Sequence, residues 1–118
     1  MKYYLIPLLV IGLSACDFIP LKTPQQQACK EIAVNRLKHK GSYDMISISE
    51  KINKGGQIEV YLNFDAWNDF KVPLPHSIYC VFQEAENAPL SLLSIKWNGR
   101  LIRRHELDDI REYLKQEN

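Results

Sequence analysis

The chain has 118 residues, which is room for a single domain. Its 15 basic and 14 acidic residues nearly cancel, and without residues 1–15, where Lys2 is the only charge, 14 of each remain. This balance lacks the excess of positive charge that nucleic-acid binding requires, so we expect no nucleic-acid partner.

Residues 1–15 have the layout of an export signal. Lys2 gives a charged start, an apolar stretch containing Pro7 follows, and the small residues Ser14 and Ala15 precede Cys16. The apolar stretch is shorter than the ~20 residues that a helix needs to cross a bilayer. We therefore expect residues 1–15 to be a signal peptide.

Residues 13–16, Leu-Ser-Ala-Cys, resemble the lipobox of bacterial lipoprotein precursors. In that family a diacylglycerol group is attached to the cysteine, and signal peptidase II cuts just before it. The resemblance, which covers residues 1–16, implies cleavage between Ala15 and Cys16 and a lipidated Cys16. Its two or three acyl chains, palmitate among them, would form a stable anchor. The alternative is a buried N-terminal helix with a free core cysteine.

Asp17 follows the lipidated cysteine. An aspartate there resembles the inner-membrane retention signal of enteric Gram-negative lipoproteins, although other bacterial groups read the position differently. We expect a cell-membrane protein that faces the periplasm, with the inner membrane favoured over the outer. Residues 16–23 form a lipidated tether, and residues 24–118 form one domain.

Cys29 and Cys80 are the remaining cysteines. A pair of cysteines in a chain expected to be exported predicts a disulfide. Closing a loop of this length would stabilise the fold by ~4 kcal/mol in the chain-entropy estimate. Two buried thiols or a redox pair are the alternatives. A redox pair would place its cysteines closer together, as in C-x-x-C.

The first predicted element of the domain is a helix over residues 24–39. Thr23 suits the N-cap, Pro24 the first turn, and Gly41 the C-terminal cap. Its apolar face comprises Ala28, Cys29, Ile32, Ala33 and Leu37.

A change to a two-residue period predicts strands at 46–52 and 58–64, joined by a turn at 54–56. Two prolines and an Asn-Asp pair predict an irregular loop at 65–76. A third strand is expected at 77–83. Ile46, Ile48 and Ile52 are assigned to the buried face of the first strand.

The C-terminal part predicts a loop at 84–89, strands at 90–97 and 100–104, and a helix over 106–116. Asn98-Gly99 favours a two-residue hairpin turn, which places Trp97 opposite Arg100. Four residues then share the core face of these strands: Leu93, Ile95, Trp97 and Ile102.

The predicted fold is α+β: an N-terminal helix packed on an antiparallel meander of about five strands, a short C-terminal helix, and one helix-to-strand disulfide. A cysteine-bearing helix followed by strands, with Ala66-x-Asn68-x-Phe70 before the Cys80 strand, faintly resembles several small exported bacterial proteins. That resemblance implies no activity.

Catalytic and metal-binding patterns are weak. His39, His76 and His105 lack metal-site spacing, and there is no nucleophile-elbow motif. Asp65 and Asp69 with His76 form the best catalytic candidate, but turn formation explains the aspartates equally well. We expect no metal, no cofactor and no enzymatic activity.

Protein recognition remains. Trp67, Phe70 and Leu74 in the 65–76 loop are candidate partner-binding residues, although Trp67 and Phe70 could instead cap the core. A second candidate is the outer sheet face, either covered by the last helix or open to a partner, with Tyr61, Tyr79, Val81, Leu92 and Leu101. A basic stripe comprises Lys96, Arg100, Arg103, Arg104 and His105. It is either the solvent-exposed face of a strand or a site for anions.

Three hypotheses follow. The first is a lipid-anchored, non-enzymatic protein-interaction module with an envelope protein as partner, such as an envelope-assembly subunit or an inhibitor or immunity protein. The second is a small-ligand or lipid-binding domain with a cleft lined by Ile32, Phe64 and Trp97. The third is a hydrolase that uses the two aspartates and the histidine named above.

Overall fold

The computed structural model describes residues 21–83 and 91–117. The elements, in order, are α1 (Pro24–Asn35), a 3-10 turn (Lys40–Ser42), β1 (Asp44–Ile52), β2 (Gln57–Trp67), β3 (Pro73–Gln83), β4 (Ser91–Trp97), β5 (Arg100–Leu101) and α2 (Arg104–Glu117). The five strands form one antiparallel sheet in chain order. This confirms the α+β class and the meander. The predicted signal peptide, Cys16 and the 84–89 loop lie outside the described residues.

Two caps fix the start and end of α1. Thr23 Oγ accepts a hydrogen bond from Gln26 N at 3.1 Å, and Gln26 Oε1 accepts one from Lys22 N at 2.9 Å. The helix stops at Asn35, so the predicted end at residue 39 is too late. Lys40 Nζ donates to the carbonyls of Asn35 and Leu37, which satisfies acceptors that the helix end leaves open.

The predicted disulfide is confirmed. Cys29 on α1 and Cys80 on β3 are bonded, their Cα atoms are 6.0 Å apart, and both residues are fully buried. The bond therefore joins the helix layer to the middle strand of the sheet at the centre of the core.

The core lies between the sheet and both helices. Alternate residues of β2 from Ile58 to Ala66 are buried, as the two-residue period of a strand requires. α1 contributes Ile32 and α2 contributes Leu114 to the same buried cluster. Both helices thus cover one face of the sheet and leave the outer face without a helix among the described residues.

A bulge in β4 changes which leucine is buried. The register steps from Ser94 opposite Val81 to Leu92 opposite Phe82, which makes Leu93 the extra residue. Leu92 is only 3% exposed, so the assignment of Leu93 to the core and of Leu92 to the outer face is wrong. Ile95 is buried as predicted, while Trp97 and Ile102 pack partly buried against the core.

A second bulge lies between Met45 and Ser47 of β1. Ile46 is the unpaired residue of this bulge. It is 54% exposed, which contradicts its predicted place on the buried face. Ile52, at the end of the edge strand, is 61% exposed, so its predicted burial is also wrong.

The C-terminal hairpin has the predicted turn but a shorter return strand. Asn98 and Gly99 both have positive φ, 51° and 84°, and Trp97 pairs with Arg100. β5 ends at Leu101 rather than at residue 104, because α2 already begins at Arg104.

The irregular loop predicted at 65–76 is largely regular. β2 continues to Trp67 and β3 begins at Pro73, so only residues 68–72 form a turn. The result is one long β2–β3 hairpin with eleven residues in each strand.

The position of the prolines explains why β3 tolerates them. Ser77 N donates to Asn98 Oδ1 at 2.8 Å, so the backbone N–H of Ser77 faces the β4 side. Pro73 and Pro75 precede Ser77 by even numbers of residues and face the same side, beyond the last β3–β4 pair at Ile78. They therefore remove no hydrogen bond from the sheet.

None of the helices in residues 21–83 and 91–117 combines the length and the apolar character that crossing a membrane requires.

Candidate functional site

The site is built on the turn at the end of the β2–β3 hairpin. Asn68 Oδ1 accepts hydrogen bonds from Phe70 N at 2.8 Å and from Val72 N at 3.0 Å. Asn68 N donates to Val72 O, and Lys71 N donates to Asn68 O, both at 3.0 Å. Lys71 has a φ of 62°, in the left-handed region. Four hydrogen bonds thus hold a five-residue turn in one conformation.

This turn carries an exposed apolar surface, which we call the hairpin tip (residues 67–74). Its apolar side chains are exposed to different degrees: Trp67 42%, Phe70 84%, Val72 47% and Leu74 41%. Trp67 pairs with Pro73 and Leu74 with Ala66, so these two side chains flank the turn on opposite faces of the hairpin. Exposed apolar side chains around a fixed turn are typical of a contact surface. The three predicted partner-binding residues, Trp67, Phe70 and Leu74, all belong to it.

The segment that follows α1 supports the hairpin tip from one side. Ser42 Oγ accepts a hydrogen bond from Trp67 N at 2.8 Å, and the rings of His39 and Trp67 lie 6.3 Å apart. Lys38 Nζ lies 3.0 Å from Asp69 Oδ1, and this contact lowers the pKa of Asp69. Both charged side chains are mostly exposed, so the ion pair orients the turn more than it stabilises the fold.

Other aromatic residues fill the end of the core beneath the hairpin tip. Phe64, 1% exposed, packs against Tyr43 at 5.2 Å, His76 at 5.4 Å and Trp97 at 5.8 Å between ring centroids. Burial raises the pKa of Tyr43 to about 12. These rings occupy the capping position that the sequence offered as an alternative role for Trp67 and Phe70, so both remain at the surface.

The catalytic candidates have separate partners. Asp69 pairs with Lys38, and His76 Nδ1 lies 3.2 Å from Asn98 Nδ2 while its ring stacks on Phe64. Asp65 pairs with Pro75 across the strands, one residue out of phase with His76, and so lies on the opposite face of the sheet. The sheet therefore separates Asp65 from His76, and Asp69 lies in the turn.

A groove of about 530 Å³ runs between α1 and α2. The Arg36–Glu106 ion pair, 2.5 Å between Nη1 and Oε2, lies at its wall and lowers the pKa of Glu106. The guanidinium of Arg36 also lies 4.9 Å from the ring centroid of Trp97. The groove is lined by Ile32, Asn35, Arg36, Glu106, Asp109, Ile110 and Tyr113. It shares Ile32 with the predicted cleft but not Phe64 or Trp97.

The outer sheet face carries a row of side chains across four strands. The Tyr61 and Tyr79 rings stack with centroids 4.5 Å apart. Lys51 Nζ lies over the Tyr61 ring and Lys96 Nζ over the Tyr79 ring, each 5.8 Å from the ring centroid. Each tyrosine ring therefore has a neighbour on both faces. Of the apolar patch predicted here, Leu92 belongs to the core, while Leu101 is 66% exposed.

A carboxylate network lies beside this row. Glu59 is only 8% exposed and accepts hydrogen bonds from Asn53 Nδ2 at 2.8 Å and Tyr61 Oη at 3.0 Å. These bonds, that of Asn53 first, lower the pKa of Glu59, and burial with the bond to Glu59 raises the pKa of Tyr79. The network holds the β1–β2 turn to the sheet.

The predicted basic stripe is divided between elements. Lys96 lies on the outer sheet face beside Tyr79, whereas Arg104 and His105 belong to the first turn of α2. The stripe therefore does not form one strand face. Across the part of the chain that the structure describes, no group of three or more His, Cys, Asp or Glu residues could hold a metal ion.

Comparisons with protein-family models, with curated proteins and with solved structures found no match to this chain.

Proposed function

We propose that the protein is a lipid-anchored, periplasm-facing, non-enzymatic interaction module that recognises an envelope protein through the hairpin tip. A subunit of an envelope assembly and an inhibitor or immunity protein both fit this description. The lipobox-like residues 13–16 support the anchor, and Asp17 favours the inner membrane.

The observation that carries the proposal is the 84% exposure of Phe70 at the end of a rigid turn. The turn does not require an aromatic residue there, because residues 53–57 form a turn with the same four hydrogen bonds and Gly55 in the corresponding place. Aromatic side chains dominate the energetics of protein contacts, and a preformed turn loses little entropy on binding.

Partner capture tests the proposal. The tagged, lipidated protein is purified from detergent-solubilised envelope beside the Trp67→Ala/Phe70→Ala double variant. We expect a stoichiometric partner with the parent protein and at least ~30-fold less with the variant, since hot-spot residues each contribute about 2 kcal/mol or more. Equal capture by a folded variant would remove the hairpin tip from consideration.

The anchor is tested separately. Metabolic labelling with a palmitate analogue should mark the parent protein and leave Cys16→Ala unlabelled, and inhibition of signal peptidase II should leave the precursor uncleaved. A labelled Cys16→Ala variant would contradict the assignment of the lipid to this thiol.

The groove between α1 and α2 favours a second candidate function, small-ligand or lipid binding. Its volume of about 530 Å³ falls in the range of ligand pockets, and Ile32, Ile110 and Tyr113 give it apolar walls. Native mass spectrometry of the purified protein should then show a bound small molecule. Tyr113→Ala should release it, whereas the hairpin-tip variant should retain it.

A further inference from the structure

The start of α1 and the hairpin tip lie at opposite ends of the domain. Thr23 Oγ donates to Glu50 Oε1 at 2.6 Å, and Glu50 pairs with Val60 on β2. From Val60 to Trp67 the strand rises about 23 Å, at ~3.3 Å per residue.

α1 runs in the same direction as β2. Lys38, just beyond its C-terminal end, contacts Asp69 in the hairpin tip. The chain thus enters the domain at one end, and the hairpin tip projects from the other.

This arrangement orients the domain on a membrane. The inference rests on the proposed function, because it takes Cys16 as the anchor. The seven Cα–Cα steps from Cys16 to Thr23 reach at most about 25 Å when fully extended. The start of α1 therefore stays near the bilayer, and in an upright domain the hairpin tip lies a further ~23 Å away, on the periplasmic side.

Three lysines lie in or beside the hairpin tip: Lys38 and Lys40 in the segment after α1, and Lys71 in the turn itself. Lys38 is neutralised by Asp69, and Lys40 donates to two backbone carbonyls rather than to a carboxylate. Lys71 makes no ion pair with any residue in 21–83 or 91–117. Two lysines are thus available to carboxylates of another molecule.

The outer-face side carries negative charge. Asp44 and Asp65 are directly paired across β1 and β2, and neither forms an ion pair within the described part of the chain. Like charges directly opposite one another destabilise a sheet. Within residues 21–83 and 91–117 no side-chain hydrogen bond or ion pair satisfies these two carboxylates, whereas a cationic group on a partner would.

We infer that the hairpin tip enters an apolar pocket of a periplasmic protein, with carboxylates of that protein facing Lys40 and Lys71 and basic groups facing Asp44 and Asp65. The partner is a protein surface and not the anchoring bilayer, which in the upright domain lies at the other end. Phe70 fills the pocket, and the two charged borders set the orientation of binding.

Photo-crosslinking from the hairpin tip tests this inference. Phe70 is replaced by p-benzoylphenylalanine in the full-length lipidated protein, produced in its own bacterium. Gly55 is the matched control position, because it has the corresponding place in the β1–β2 turn and a Cβ there makes only an ordinary 3.5 Å contact. Adducts are identified by mass spectrometry as lipid or as a defined peptide.

Two charge reversals test the borders in the same assay. Lys71→Glu and Asp65→Lys should each lower the yield of the position-70 adduct by about fivefold or more, because each creates repulsion at its border. Lys54→Glu in the other turn should leave the yield unchanged. Asp65→Lys replaces a repulsive pair with an attractive one, so its loss of adduct does not come from unfolding, and its Tm should not fall.

The outcomes separate the two proposals. A protein adduct at position 70 alone, at an apolar site bordered by acidic and basic residues and sensitive to both reversals, supports the inference. A protein adduct that neither reversal changes overturns the inference but leaves the proposed function standing. A phospholipid adduct, or equal adducts at 55 and 70, overturns both.

Discussion

The two turns at the ends of β2 share one design and differ in what they display. In the first turn, residues 53–57, Asn53 Oδ1 accepts hydrogen bonds from Gly55 N and Gln57 N. In the second turn, residues 68–72, Asn68 Oδ1 accepts the two corresponding bonds. The backbone bonds that close each turn also correspond. The two turns are therefore matched structures within one chain.

The residues between those bonds differ. The first turn has Gly56 at the left-handed position, with a φ of 78°, which costs no side-chain strain. The second turn has Lys71 in the same conformation and Phe70 almost fully exposed beside it. A non-glycine residue in the left-handed region costs ~1–2 kcal/mol, and burial of Phe70 is forgone. The second turn thus accepts two local costs that the first avoids, which points to a requirement outside the fold.

Exchanging the turn sequences should give the largest effect. The triple variant Asp69→Lys/Phe70→Gly/Lys71→Gly gives the second turn the three central residues of the first, Lys54, Gly55 and Gly56. We expect capture of the proposed envelope partner to fall at least ~30-fold, through loss of the exposed aromatic anchor, while Tm stays equal or rises. Affinity purification and thermal unfolding measure the two quantities. A parallel loss of capture and of Tm would contradict the comparison, and the reciprocal Gly55→Phe variant should capture nothing new.

Replacing the asparagine that opens each turn should lower the stability of the protein by different amounts in the two turns. Asn53→Ala removes two turn bonds and the bonds to Gln57 Oε1 and Glu59 Oε2, and we expect a loss of about 2–3 kcal/mol. Asn68→Ala removes two solvent-exposed bonds and should cost about 1 kcal/mol. Urea unfolding of both variants measures the difference. Equal losses would mean that the Glu59 network adds nothing.

Substitutions at the left-handed position of the two turns, Gly56 and Lys71, should change the stability of the protein in opposite directions. Gly56→Ala should destabilise the protein by about 1 kcal/mol, because its φ of 78° strains any side chain although the space is open. Lys71→Gly should stabilise it by about 0.5 kcal/mol, since relief of strain exceeds the added entropy of the unfolded chain. Thermal unfolding, at ~4–8 °C per kcal/mol, resolves both shifts. The same sign for both would refute the strain interpretation.

The two turns should also differ in their response to acid. The pKa of Glu59 lies below its ordinary value of 4.5, so Glu59 stabilises the folded state above pH 4.5 and loses this effect as pH falls through its lowered pKa. The stability gap between the parent and Glu59→Gln should thus be constant near neutrality and close below pH 4.5. Asp69→Asn, at an exposed pair, should show a smaller gap. Urea unfolding from pH 7 to pH 3 checks both, and a gap for Glu59 that widens with acid would contradict the assignment.

The sequence predicted most elements because local patterns specify them. The two-residue period predicted the buried side chains of β2, and Thr23 and Pro24 marked the start of α1. Asn98-Gly99 specified its turn because both central positions need positive φ. The pairing of Cys29 with Cys80 was predicted because they are the two cysteines that remain once Cys16 is assigned to the expected lipid anchor.

The β-bulges and the ends of neighbouring strands could not be predicted from the local sequence pattern. Leu92 and Leu93 are adjacent leucines, and only the pairing of β3 with β4 decides which of them is buried. Pro73 and Pro75 indicated a loop, and they are tolerated because β4 ends before it reaches them. Both outcomes depend on the lengths of neighbouring strands, which no window of sequence contains.

The sequence by itself determined the helix start, the alternating core of the sheet, the turns at 54–56 and 98–99, and the choice of Trp67, Phe70 and Leu74 as contact candidates. Only the tertiary structure decided that all three are exposed, because Phe64, His76 and Trp97 fill the end of the core beneath the turn. The opposition of the hairpin tip to the start of α1 likewise arises only when α1 packs along β2 and β3. Local periodicity states which side of a strand is buried, whereas packing between distant segments decides which apolar residues remain outside.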